Sequence, residues 1–149
     1  MDDCGSRITT DAVDRAGAVY WASQLPVAIM KLGRDGIRTR LAGLAQLNFS
    51  LRFGEPIADG DASSARFGRV VGLTTDDRGF IYVSDSNRIR RISPTGNVQT
   101  IAGSPQTVGV KPGALPASLN TPAGLALNAN GILYGVDLQE QLVFQINLN

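Results

Sequence analysis

The chain has 149 residues, of which 43% are hydrophobic and 18% charged, and it carries a net charge of +1. This composition is typical of a folded globular domain, excludes a wholly disordered chain, and provides no overall charge that would draw the protein to nucleic acid or a membrane. Because the chain has no histidine and one cysteine, Cys4, it excludes an internal disulfide, the common zinc sites and catalysis by an imidazole base.

No apolar run is long enough to predict a membrane-spanning helix, and the polar start MDDCGSR is unlike a signal peptide. The sequence leaves the compartment open. At its position near the chain start, Cys4 is interpreted as a stray terminal residue in preference to a reactive thiol.

The first predicted unit spans about residues 7–43. A strand is expected from Ile8 to Val13, and the turn DRAG leads into a second strand, GAVYWAS. An apolar alternation ending at Leu32 predicts a third strand, and the tight turn Asp35-Gly36 leads into a fourth from Ile37 to Ala42. Short alternating runs joined by tight turns predict one antiparallel sheet of four strands.

The next segment, residues 44–68, departs from this pattern. Four apolar residues alternate strictly with polar ones, which predicts an extra half-buried strand that pairs with the rim of the first unit or supplies an outer strand that another unit lacks. A loop with chance alternation is the competing interpretation. Residues 55–64 are rich in Gly, Asp, Ser and Pro and predict a surface connection. The alternating residues are Leu47, Phe49, Leu51 and Phe53.

The second predicted unit, residues 69–103, repeats the order of the first. A strand from Val70 to Thr75 is followed by the turn DDRG, the strand GFIYVSD, an alternation ending at Ile92, and a fourth run from Asn97 to Ala102. Gly103 ends this run as Gly43 ends the fourth run of the first unit, and each is expected to let the chain turn toward the next unit.

A connection over residues 104–120 leads to the third predicted unit, residues 121–149. Its first strand is expected over Gly124 to Leu127, before the turn NANG, the strand GILYGVD and an alternation ending at Ile146. No fourth run follows. The third unit is therefore predicted to lack its outer strand.

The three units align on Tyr20, Tyr82 and Tyr134. Repeated four-stranded antiparallel units at this spacing are typical of β-propeller blades, which bury their apolar faces against one another. We therefore predict an all-β fold: one partial β-propeller of about three four-stranded antiparallel blades, named blade 1, blade 2 and blade 3 in chain order. The tyrosines are expected to pack blade against blade.

The segment from Asp59 to Gly103 resembles the NHL repeat. It carries, in order, DG followed by ARF, the D-x-x-G turn, the strand IYVSD, NRIRRI and TIAG. Blade 3 keeps the first half of the pattern, whereas blade 1 is weaker, has Asp11 where the other copies have leucine, and is also similar to YWTD blades. The resemblance implies a six-bladed propeller, which at this spacing would need about 340 residues. The chain is then a piece of a longer protein, half of a ring that two copies close, or an open arc.

The predicted fold and the resemblance favour a non-catalytic binding or scaffold module, without a cofactor, that presents loops to a protein or glycan partner. Self-association is a further expectation, because it would cover exposed blade faces. The candidate binding loops are the hairpins between the second and third strands, which line up on one face. Their residues are Gln24, Leu25 and Pro26 in blade 1, Ser84, Asp85, Ser86, Asn87 and Arg88 in blade 2, and Leu138, Gln139 and Glu140 in blade 3.

The resemblance also implies an alternative, because six-bladed relatives with lactonase or lyase activity hold a metal with acidic and amide side chains. Under this alternative the chain is a portion of such an enzyme, and its oxygen ligands would suit Ca²⁺ or Mg²⁺ as a cofactor. A competing interpretation is that an Asp or Asn before a Gly turn serves the turn itself. The available residues are Asp14, Asp76, Asn128, Asp77, Asp85 and Asp137.

A second alternative is RNA binding through a basic face, as in some NHL propellers, where cations meet phosphates and aromatic rings stack on bases. Nucleic acid is not the expected partner, because Trp21 is the one surface aromatic candidate and NRIRRI occurs in the family as an ordinary solvated strand. The basic face would comprise Arg34, Arg38, Arg40, Arg88, Arg90 and Arg91.

Overall fold

A computed structural model describes residues 7–24, 26–44, 56–104 and 118–149. These residues form eleven strands in three antiparallel sheets and contain no helix, so none of them forms a helix long and apolar enough to cross a membrane. The prediction of an all-β partial propeller is confirmed. The predicted extra strand, Leu25 and Cys4 lie outside the described residues.

The three sheets follow the chain without crossovers. Blade 1 consists of β1 (Ile8–Val13), β2 (Val19–Gln24), β3 (Val27–Leu32) and β4 (Arg38–Gly43). Blade 2 consists of β5 (Val70–Thr75), β6 (Ile81–Asp85), β7 (Arg88–Ile92) and β8 (Val98–Ala102). Blade 3 consists of β9 (Pro122–Leu127), β10 (Ile132–Asp137) and β11 (Leu142–Asn147), and no fourth strand pairs with β11 among the described residues.

The same register recurs in each blade, where the tyrosine of the second strand lies opposite a long polar side chain of the third. The pairs are Tyr20 with Lys31, Tyr82 with Arg91 and Tyr134 with Gln145. Because successive side chains of a strand point to opposite faces, every blade has a tyrosine face and an opposite face. The blades are thus equivalent in register, and their residues can be compared position by position.

Blades stack with the tyrosine face of one on the opposite face of the next. Tyr20 and Ile29 of blade 1 belong to one buried cluster with Ile81, Val83 and Ile92 of blade 2. A second buried cluster joins the tyrosine face of blade 2 to the opposite face of blade 3, and it contains Tyr82, Ile89, Ala102, Leu119, Leu133 and Ile146. Blade 2 is buried on both faces, whereas blades 1 and 3 each have one face without a neighbouring blade among the described residues.

The first strands of neighbouring blades lie close together. Thr9 and Gln24 of blade 1 both donate hydrogen bonds to the carbonyl of Val70 in blade 2, over 2.8 and 3.0 Å. Between blades 2 and 3 the approach is tighter, since a β-carbon on Gly72 would lie 2.9 Å from the carbonyl oxygen of Ala123. A glycine is therefore required there for β9 to pack against β5.

Candidate functional site

The three hairpins that join second and third strands lie at one edge of the blades, here called the hairpin edge. At each of them a backbone N–H after the second strand donates to the segment that enters the same blade. The bonds run from Gln24 to Arg7, from Ser86 to Arg69 and from Leu138 to Thr121, over 2.9–3.0 Å. The repeated bonds fix the backbone of each hairpin against the first strand of its own blade.

Buried carboxylates reinforce two of these hairpins. Asp85 accepts the backbone N–H of Gly68 at 2.9 Å, and Asp137 accepts the N–H groups of Asn120 and Thr121 at 2.8 and 3.1 Å. Both side chains are fully buried, and in blade 1 the buried Ser23 occupies the same position. A buried carboxylate is stable only when it is paired or hydrogen-bonded, so these groups organise the hairpins from beneath.

Arg90 lies at the centre of the second hairpin's support. Its guanidinium is fully buried, forms ion pairs with Asp85 and Asp59 at 2.9 Å each, and donates to the carbonyl of Arg66 at 2.6 Å and to that of Ala58. It also lies 4.7 Å from the ring centroid of Phe67, a cation–π contact. The predicted place of Arg90 on a basic face is therefore wrong.

The guanidinium ties the connection before blade 2 to the blade itself. Asp59, on that connection, also accepts the backbone N–H and the hydroxyl of Thr100 in β8, at 2.8 and 2.9 Å. Burial opposes ionisation of Asp59, but the hydrogen bonds from Thr100 and the charge of Arg90 outweigh it and lower the pKa of Asp59 below its ordinary value of 3.8. The carboxylate is thus held in its charged form by the fold.

A second carboxylate on the same connection is held in the same way. Asp61 accepts the hydroxyl of Ser63 at 2.8 Å and the N–H groups of Ser63 and Ser64 at 2.9 and 2.8 Å, which place the pKa of Asp61 far below 3.8. Lowered carboxylate pKa values stabilise the fold above the ordinary pKa of aspartate, and this stabilisation is lost as the pH falls through the lowered values.

We therefore expect the midpoint of urea unfolding to change little from neutrality to about pH 5 and to fall as the pH is lowered further through 3.8. Asp59→Asn and Asp61→Asn should each make this fall smaller, because each removes a group that must take up a proton on unfolding. Urea titrations of the parent and of the double variant at neutral and acid pH test this. A double variant as sensitive to acid as the parent would contradict it.

The side chains that the hairpin edge presents to solvent differ between blades. Leu138, Gln139 and Glu140 of blade 3 are exposed, whereas Asn87 and Arg88 of blade 2 are half-buried. Asn87 donates to the carbonyl of Ser104 at 2.7 Å and Glu140 accepts from the amide of Asn120 at 2.9 Å, which orders two of these loops. Pro26 in blade 1 and Ser86 in blade 2 are half-buried as well.

Two of the predicted binding residues are corrected. Ser84 is fully buried on the tyrosine face of blade 2, where a partner at the hairpin edge cannot reach it. Asp85 is fully buried beneath its hairpin, where it accepts bonds from Gly68 and Arg90. Both faces of blade 2 are covered, so the end of β6 belongs to the core and the accessible loop begins at Ser86.

Three of the residues considered for a metal close turns. Asp14, Asp76 and Asn128 each accept the backbone N–H four residues later at 2.9 Å, which closes the turn between the first and second strands. Asp14 and Asp76 also accept the hydroxyls of Tyr20 and Tyr82, at 3.1 and 3.2 Å. Over the described ranges, no three Cys, Asp or Glu side chains come together as a metal would require.

The remaining candidates for a basic face divide between two blades. Arg34, Arg38 and Arg40 are exposed in blade 1. Arg91 instead lies 5.2 Å from the ring of Phe80 and donates to the side chain of Gln99 at 3.1 Å. Of the predicted basic-face residues, those that are exposed therefore all lie on blade 1.

An open depression of about 520 Å³ lies at the edge opposite the hairpins, where the turns of blades 2 and 3 meet. Asp76, Asp77 and Arg78 line one side, and Asn128 and Asn130 line the other. No local sequence pattern predicted this depression, because it forms between two turns that are far apart in the chain. The recurrence of an Asp or Asn turn at the same place in each repeat was the available signal that these turns lie at one edge of the blades.

No protein-family model matches the chain. The chloroplast protein SUPPRESSOR OF QUENCHING 1 of Arabidopsis thaliana is 35% identical over 95 residues, which cover 61% of this chain and 9% of the relative. The chain thus spans less than a tenth of the curated relative that it matches.

Solved structures resemble the chain over nearly its whole length. An auxiliary nutrient binding protein from Bacteroides thetaiotaomicron VPI-5482 matches with a TM-score of 0.72 and 17% identity, over 95% of this chain and 37% of that protein. A catalytically inactive virginiamycin B lyase from Staphylococcus aureus, solved with quinupristin, matches with a TM-score of 0.57 and 16% identity, over 99% of this chain and 43% of the lyase.

The chain therefore spans well under half of each of these two structures. Identities of this order establish a shared fold and carry no function across. The matched structures are β-propeller-like, and one is a nutrient-binding protein while another is an enzyme. The conclusion from fold, register and comparison is that this chain has the fold of a partial β-propeller.

Proposed function

We propose that the chain is a non-catalytic binding module of the NHL-repeat type, which presents its hairpin edge to a protein or glycan partner. The observation that carries the proposal is the rigid support beneath the hairpins. Asp85, Arg90 and Asp137 are fully buried and bonded, while neighbouring loop side chains point outward. A surface that is ordered before binding loses little conformational entropy when a partner docks.

The experiment compares the two edges of the same blades. The parent chain is screened on a glycan array and by proximity labelling for protein partners, and the affinity of each partner found is then measured by calorimetry. We expect a hairpin-edge variant, Asn87→Ala with Gln139→Ala and Glu140→Ala, to weaken binding at least about tenfold, or roughly 1.4 kcal/mol.

The matched control changes three exposed residues at the opposite edge, where the turns between first and second strands lie. Arg15→Ala, Asp77→Ala and Asn130→Ala remove three polar side chains, one from each blade, and none of them lies at the hairpin edge. The control should bind as the parent does. Equal loss in both variants, or loss in the control alone, would contradict a hairpin-edge binding site.

The enzyme alternative has less support from the chain's own residues. The inactive variant of the virginiamycin B lyase has a histidine replaced by alanine, and this chain contains no histidine. Two of the aspartates available for a divalent ion, Asp14 and Asp76, are already bonded to their own turns. Calorimetric titration with Ca²⁺ is the test, since tight stoichiometric binding would favour the metal-dependent enzyme over the binding module.

RNA binding has less support as well. Arg90 is buried in ion pairs and Arg91 is stacked on Phe80, so two of the six proposed basic residues are already engaged within blade 2. Filter binding to single-stranded RNA at several salt concentrations tests this alternative. An affinity that falls steeply with salt would support it, and no binding at low salt would remove it.

A further inference from the structure

The outward tyrosine face of blade 3 repeats a surface that is buried elsewhere in the molecule. Tyr134 is 36% exposed, whereas its equivalent Tyr82 in blade 2 is 1% exposed. Val143 is 70% exposed, although the equivalent Ile89 is completely buried. Val136 lies between them and is also exposed. The composition of this face is that of a junction between blades, although no blade of the described residues packs on it.

A glycine on the same face points to the same kind of occupant. Gly124 lies ten residues before Tyr134, as Gly72 lies ten before Tyr82. Gly72 makes room for the backbone of β9 in the next blade, whereas a β-carbon on Gly124 would meet nothing within 4 Å. The space beside Gly124 is therefore open, and the first strand of another blade could pack there as β9 packs beside Gly72.

The outward face of blade 1 is the complement. It presents Val19, Trp21, Met30 and Leu32, whose equivalents in blade 2 include the completely buried Ile81, Val83 and Ile92. Leu32 is 37% exposed. In the arc, this kind of face always receives the tyrosine face of the preceding blade. The two ends of the arc are thus the two halves of one junction.

The outward face of blade 1 is positively charged, whereas no charged side chain lies on the outward face of β9–β11, because Asp137 is buried beneath its hairpin and Glu140 lies on the hairpin. Residues 7–43 contain six Lys and Arg against three Asp, a net charge of +3, while residues 118–149 contain Asp137 and Glu140 and no basic residue. Arg38 and Arg40 pair in register with Leu32 and Met30, which places them on the outward face of blade 1. Two copies of blade 1 placed face to face would bring these cations together, which disfavours that contact and leaves the uncharged face of blade 3 as the better neighbour.

We propose that a second copy of this chain occupies both faces, with blade 3 of each copy seated on blade 1 of the other. Two such contacts are identical by symmetry and close a ring of six blades, within the range of four to eight that propellers adopt, whereas three copies would give nine. The ring leaves no apolar blade face in water. The occupant that the structure favours is therefore the chain itself.

The test is the mass of the native chain in solution, measured by light scattering after size exclusion over a range of concentrations. We expect twice the 15.7 kDa of one chain. A mass of one chain throughout would overturn the proposal. A series of masses that grows with concentration would show contacts that do not close, and would overturn it as well.

Two charge variants test the geometry. Val143→Arg on blade 3 and Leu32→Arg on blade 1 should each give a monomer, because each places a cation in both junctions. Ala129→Arg adds the same charge to an exposed turn of blade 3 and should remain dimeric. A dimer that survives one of the first two changes would show contact between like ends and would overturn the head-to-tail arrangement.

Mixing the two monomeric variants separates a lost contact from a lost fold. A mixed pair has one junction with both substitutions and one junction with neither, so an equimolar mixture should recover dimers. Each variant alone should keep the circular dichroism spectrum of the parent. Folded variants that fail to recover any dimer on mixing would overturn the proposal.

Discussion

Replacing Arg90 with methionine is expected to lower the free energy of unfolding by about 3–5 kcal/mol, which is a large part of the stability of a small domain. The change removes the cation from between Asp85 and Asp59, and Asp85 is completely buried. It also removes the guanidinium hydrogen bonds to the carbonyls of Arg66 and Ala58, which keep only the backbone bonds that they exchange with each other. Methionine fills much of the same volume, so the loss reports the charge and its hydrogen bonds.

Urea titration at neutral pH measures this loss, and Arg91→Met is the matched control. Arg91 is half-buried and interacts with Phe80 and Gln99 at the surface, so its replacement should cost less than about 1 kcal/mol. In a double-mutant cycle, Asp85→Asn should cost less in the Arg90→Met background than in the parent. An Arg90→Met variant as stable as Arg91→Met would contradict a structural role for the buried ion pairs.

Gly72→Ala is expected to lower the free energy of unfolding by about 1–3 kcal/mol, because it overpacks the junction between blades 2 and 3. The added methyl group would lie 2.9 Å from the backbone oxygen of Ala123 and 2.7 Å from the hydroxyl of Ser84. The hydroxyl can rotate away, but the strand that carries Ala123 must shift. Thermal or urea unfolding of the single variant measures the effect.

Gly124→Ala is the matched control for Gly72→Ala, at the same position of the next blade. Its methyl group meets no atom of its own chain, so in a monomeric Val143→Arg background the change should alter stability by no more than about 0.5 kcal/mol. In the parent background the same change should weaken the proposed association. Equal destabilisation by the two glycine variants in the monomeric background would contradict the packing account.

Sequence patterns predicted the strands of this fold closely. The predicted first strands from Ile8 to Val13 and from Val70 to Thr75 coincide with β1 and β5. The turns were recognisable because Gly17, Gly79 and Gly131 adopt positive φ angles after an Asp or Asn that caps the turn. Local chemistry of this kind is fully contained in short stretches of sequence.

Burial was predicted less well, because it depends on the neighbouring blade. In a central blade both faces are covered, so alternation along β7 does not distinguish the buried Arg90 from the half-buried Arg88. Asp59 lies far from Arg90 in sequence, so no local pattern indicated their ion pair. Conversely, Tyr134 was expected in the core from its equivalence to Tyr82, but no blade covers it among the described residues.

The sequence predicted which loops form the candidate site, but it did not predict which of their side chains are accessible. The hairpins lie where the repeats placed them, and their exposed members include Leu138, Gln139 and Glu140. Ser84 and Asp85 were assigned to the hairpin between the second and third strands, yet both are buried. Their role became visible only with the positions of Gly68 and Arg90.

Because the tyrosine face of each blade packs on the opposite face of the next, the arc has a direction, and every junction is of the same type. A blade inserted at any point of the arc would therefore find a complementary face on each side. Tandem duplication of a stretch one repeat long would therefore lengthen the arc without demanding a new type of joint. Copy number in this architecture can change through single genetic events, and the diversity of surface loops can then evolve independently in each copy.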